Sequence, residues 1–108
     1  MAWTHSLSFL FGGAFLANAL PHYLSGVMGR PFQTPFAKPH GVGLSSSTVN
    51  VLWGLFNLAV AYVLIGRVGH FDLGVTGHAV ALGLGVFAMS LMHALSFGRF
   101  HGGNNPGA

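Results

Sequence analysis

Along this chain the apolar positions gather into three blocks, and strongly ionising residues fall only between them. No Lys, Arg, Asp or Glu occurs between Met1 and Gly29, between Pro39 and Gly66, or between Leu73 and Gly98. A hydrocarbon core ~30 Å thick needs about 20 apolar residues in helical form, and each block supplies them. The pattern predicts an all-α membrane protein. It forms one domain over residues 1–108, with transmembrane helices at about 4–28, 48–65 and 73–97. A Pro-rich first loop at 29–47 and a flexible, glycine-rich tail at 101–108 complete it.

Composition sharpens this reading. Only 5% of residues are charged and 52% are hydrophobic, whereas a soluble domain carries about 25% charged residues. Asp72 is the single acid, and cysteine is absent, which removes disulfides and thiolate chemistry. The net charge of +3 comes from four cations scattered along the chain. They make no basic patch, so nucleic acid is not a partner; they act as topology signals instead. Arg30, Lys38 and Arg99 share one side of a three-span protein, and Arg67, offset by Asp72, lies on the other. The cation bias places the N-terminus outside and the C-terminus in the cytoplasm. Phe9 to Leu16, followed by Ala17-Asn18-Ala19, has the look of a signal peptide and its cleavage site. No Lys or Arg precedes it and apolar character continues to Met28, so a retained span is expected.

The loop is patterned. From Arg30 it reads RPFQ, TPFA, KPHG, each tetrad a polar or basic residue, then proline, then a ring. Prolines at this spacing favour an extended path of limited entropy, and a connection this long in a helical bundle is often functional. The helices should meet through small residues: Gly13 with Ala17, Gly54 with Ala61, and Gly77, Ala81 and Gly85 each line one helical face. Three helices bury little surface, so a homo-oligomer or a larger membrane complex is expected.

Polar residues inside the spans converge on one half of the membrane. At 1.5 Å per residue, Asn18 and Asn57 both lie ~14 Å from the first-loop interface, and His22 and His93 lie roughly 6–9 Å below it. Asn50 is shallower, and His40 hangs in the loop above. Such groups are costly against lipid and should face one another. The simplest arrangement pairs Asn18 with Asn57 and gathers His22, Asn50 and His93 beneath the loop. Interhelical glue explains this cluster by itself. Three functional readings compete with it: a metal or haem site, a small apolar molecule held under the loop, and a proton path through an oligomer. For copper, Met89, Met92 and His93, with Met28 and His22 at similar depth, would supply thioether and imidazole ligands. Catalysis has thin support, because no span carries a carboxylate and no GxSxG occurs. The expected role is therefore a non-enzymatic accessory or scaffold subunit with a polar pocket, the alternative being a ligand-binding or transport protein.

The stretch NALPHYLSGVMGRPFQTPFAKPHGVGLSS, followed by VNVLWGLFNL, resembles small bacterial integral membrane proteins of unassigned function. It spans residues 18–58. The resemblance implies a multi-pass protein of the bacterial inner membrane and assigns no site.

Overall fold

The computed structural model describes residues 2–107. Three helices are long and apolar enough to cross a membrane: Trp3–Val27, Ser47–Val68 and Thr76–Ser96. In element order the chain forms α1 (Ala2–Val27), β1 (Phe32–Gln33), β2 (Leu44–Ser45) and α2 (Ser47–Tyr62). A π-helical extension (Val63–Val68), α3 (Thr76–Ser96) and α4 (Gly98–His101) follow.

The ends of these helices are set by local chemistry. Helix α1 runs unbroken across Pro21. It stops at Gly29, whose φ of 73° is left-handed. There the Gly29 N–H bonds the Gly26 carbonyl and the Arg30 N–H bonds the Ser25 carbonyl, a glycine-terminated cap that satisfies the last carbonyls. Helix α2 starts where the Ser46 hydroxyl accepts the Val49 N–H at 3.1 Å, satisfying one of the free first-turn donors. Helix α3 begins later than the apolar pattern predicts. Asp72 Oδ1 accepts the Gly74 N–H and the Asp72 N–H donates to His78 Nδ1, so residues 72–74 are held in a turn.

Helix α1 is the centre of the molecule. Helices α2 and α3 each pack along it and barely touch one another. Helix α2 runs antiparallel to α1 and buries a single stripe: Asn50, Gly54, Asn57 and Ala61. A Cβ on Gly54 would lie 2.7 Å from the Tyr23 nitrogen, and one on Gly26 2.7 Å from the Ser47 oxygen. Helix α3 runs parallel to α1 and meets it backbone to backbone, Gly85 against the Leu10 carbonyl and Gly13 against the Leu82 carbonyl. Close approach of this kind substitutes for the missing hydrophobic drive between helices in lipid. Ala17 is buried at the centre, and Ala81 is partly buried. Gly77 does not belong to the seam: it is exposed, and a side chain there would meet nothing within 4 Å. It lies in the first turn of α3, above the point where the helices converge.

Two further elements depart from the sequence pattern. The prolyl loop is not simply extended: β1 pairs antiparallel with β2, Phe32 opposite Ser45 and Gln33 opposite Leu44. Beyond Phe97 the chain continues into a further short helix. Helix α4 ends at Gly102 in a left-handed conformation, and Asn104 Nδ2 donates to the Ala94 carbonyl at 2.9 Å. Asn104 thereby returns the chain to a carbonyl of α3. At the opposite end of the molecule, Phe9 is fully buried between Phe71 and His78. The Ser8 hydroxyl donates to the Leu64 carbonyl in the π-helical segment.

Candidate functional site

Asn50 organises the end of the molecule that carries the prolyl loop. Its side chain is wholly buried. Its amide nitrogen lies 3.2 Å from the Phe32 carbonyl, 3.1 Å from that of Ser45 and 3.0 Å from that of Ser46. One side chain on α2 thus pins both strands of the ribbon and the start of its own helix. Its oxygen lies 3.0 Å from Nδ1 of His22 on α1, itself 2% exposed. A second amide pair crosses the same two helices nearer the centre. Asn57 Nδ2 donates to the Trp53 carbonyl at 2.8 Å, and its oxygen accepts from Asn18 Nδ2, also at 2.8 Å. Each amide satisfies a backbone carbonyl or a partner amide, which removes much of the cost of placing it in an apolar interior.

Helix α3 contributes His93, whose ring centroid is 6.5 Å from that of His22 at 86°. Trp53 and Phe97 also stand edge-on to His22, at 6.3 Å and 6.0 Å. Because α2 and α3 do not close on each other, a cavity of about 370 Å³ remains between them. Asn18, His22, Trp53, Met92, His93 and Arg99 line it from the helices, and residues 33–35 and 40–42 of the loop cover it. The loop is itself braced. Thr34 and Ser45 share a hydroxyl contact, and His40 Nδ1 donates to the Pro35 carbonyl at 2.7 Å. The Gln33 side chain is bonded to His101 Nε2 at 3.0 Å, and Phe32 stacks on the His101 ring at 5.1 Å. The tail therefore holds the ribbon from the outside. A wider groove of about 540 Å³ lies on the other side of His93 and Phe97, between α1 and α3.

Most of the polar residues singled out from sequence meet here: Asn18, His22, His40 and His93 line one cavity. Asn50 and Asn57 stand behind its wall, each bonded to a cavity residue. The copper set does not assemble. Met92 lines the cavity, but Met28 and Met89 do not, and Met28 is 60% exposed at the end of α1. Similar depth put these thioethers at one level without putting them on one face. Among the described residues no three His, Asp or Glu side chains cluster closely enough to hold a metal ion. Two contributors were missed by sequence reasoning. Gln33 is buried by the docked tail, which no local pattern signals. The indole N–H of Trp53 is buried and has no hydrogen-bond partner among the described residues; a tryptophan three residues after a span-embedded Asn50 could have been suspected of it.

The fold and its spans define a small polytopic membrane protein. The chain matches no protein family, no curated protein and no solved structure.

Proposed function

We propose that this protein is a non-enzymatic accessory subunit of the bacterial inner membrane that holds a small molecule in the cavity beneath its first loop. The observation that carries the reading is the roofed cavity itself, walled by His22, Trp53, His93 and Phe97 beneath residues 33–35 and 40–42 of the loop. The cavity combines ring walls with a few polar groups, the usual make-up of a small-molecule site. Its volume of about 370 Å³ falls at the small end of such sites, roughly 300–1,000 Å³. The cation bias supports an orientation with the N-terminus outside and the C-terminus in the cytoplasm, with the cavity opening toward the cytoplasmic side. The broad exposed face of α3 suits lipid, a second copy or a partner subunit.

Native mass spectrometry from detergent tests the reading. Wild-type protein should carry a small-molecule adduct, and Ser96→Phe, which fills the cavity from its α3 wall, should lose it. Bare protein in both cases, or an adduct indifferent to Ser96→Phe, would overturn the proposal.

A further inference from the structure

The hydrogen bonds behind the cavity wall decide which way its polar groups face. Asn50 could point either end of its amide at the carbonyls of Phe32, Ser45 and Ser46, but carbonyl oxygens only accept. Three of them surround one amide atom at 3.0–3.2 Å, so that atom is the NH₂ group. The Asn50 oxygen is then the atom facing His22, and it can only accept. His22 Nδ1, 3.0 Å away, must therefore be the donor. A neutral imidazole carries one ring proton. With that proton fixed on Nδ1, Nε2 of His22 is a bare acceptor.

The same bookkeeping applies to Asn18. The Trp53 carbonyl fixes the Asn57 nitrogen, the Asn57 oxygen accepts from Asn18 Nδ2, and the oxygen of this cavity-lining residue remains an acceptor. Arg99 stands at the rim, its Nε donating to the Ser96 carbonyl at 3.3 Å and its guanidinium lying 5.1 Å over the Phe100 ring. The wall contains no acid.

This pattern selects against whole classes of ligand. A cation would find no carboxylate. A carboxylate or phosphate would meet the lone pairs of His22 and Asn18. The site asks for a neutral donor such as a hydroxyl, which can give its proton to a lone pair. The rings of Trp53, His93 and Phe97 stand around His22 at interplanar angles of 69°, 86° and 89°. They offer edges and faces to an aromatic guest. The adjoining groove shares His93 and Phe97 and continues over Ala17, Leu20, Pro21 and Ala94, an apolar bed for a tail.

Resting on the reading of this cavity as a ligand site, we propose that it binds the head of a hydroxylated aromatic amphipath, a phenol or hydroquinone carrying an apolar tail. Its hydroxyl donates to His22 Nε2, and its ring lies against the wall formed by Trp53, His93 and Phe97.

The chain has two tryptophans, so Trp3→Phe leaves a single indole resonance, that of Trp53. ¹⁵N-labelled Trp3→Phe protein in micelles is titrated with 4-decylphenol and, separately, with its methyl ether, 4-decylanisole. The phenol should move the indole N–H resonance saturably and bind about tenfold tighter than the ether, the worth of one donated hydrogen bond of about 1.4 kcal/mol. In His22→Phe that preference should fall to near parity, while His93→Phe should keep it. Equal affinity of phenol and ether for the parent protein overturns the proposal, and does so whether or not the His22 variant folds. If neither probe moves the resonance while the Ser96→Phe-sensitive adduct persists, the aromatic assignment is wrong and the ligand site stands. If the adduct is absent as well, both fall.

Discussion

Asn50 and His22 face each other at 3.0 Å across the interface of α1 and α2, and the same asparagine holds three backbone carbonyls with its other end. A leucine of similar volume would fill the space and make none of these bonds. Asn50→Leu should cost about 3 kcal/mol, since it strips the amide from buried carbonyls and from an imidazole N–H at once. Asn18→Ala, which breaks one interhelical amide bond, should cost about 1 kcal/mol. Unfolding in mixed micelles measures both, and equal losses would refute the central place given to Asn50.

Glycines of α3 divide by where they sit. Gly85→Ala drives a methyl group into the Leu10 carbonyl, with backbone on both sides and nothing flexible to give way. It should lower the thermal midpoint by several degrees. Gly83→Ala meets open space and gains helix propensity of up to about 1 kcal/mol, so its midpoint should hold or rise. Scans of the two variants in one detergent decide the matter.

The tail is expected to protect the ribbon. His101→Ala removes both the bond to Gln33 and the stack on Phe32. Amide exchange at Phe32 and Gln33 should quicken by roughly tenfold, on the basis of about 1–1.5 kcal/mol for the lost contacts, while exchange at the centre of α1 stays unchanged. Unaltered exchange at both strand residues would mean that the tail contributes nothing to the loop.

Orientation can be read directly, because the chain has no cysteine of its own. Val42→Cys in the exposed loop and Leu73→Cys in the exposed turn before α3 lie at opposite ends. In intact cells an impermeant thiol reagent should label the Leu73 position and spare the Val42 position. The reverse pattern would invert the topology proposed from Arg30, Lys38 and Arg99.

How much of this could be read beforehand follows from what a sequence encodes. Charge-free blocks of span length have few alternatives, so three membrane helices were plain from Met1–Gly29, Pro39–Gly66 and Leu73–Gly98. Height in the membrane is also countable, which is why Asn18 and Asn57 could be set at one level. Azimuth is not countable. It depends on how far each helix is rotated against α1, and Met28 and Met89, counted to a similar depth, do not line the cavity. Long-range docking was equally hidden. The Gln33–His101 contact joins residues 68 apart in sequence, and no periodicity reports a bond of that kind. Nor does glycine spacing alone separate Gly85, locked against backbone, from Gly77, which touches nothing.

The sparse contact between α2 and α3 makes this a protein of two seams sharing one member. Damage to one seam leaves the other intact, so the free-energy losses of Gly54→Leu and Gly85→Ala should simply add. The same independence means that α1 and α2 can form a hairpin before α3 emerges, with the last helix arriving as a separate docking event. A chain severed in the turn between Gly69 and Val75 should accordingly reassemble from its two pieces in the membrane.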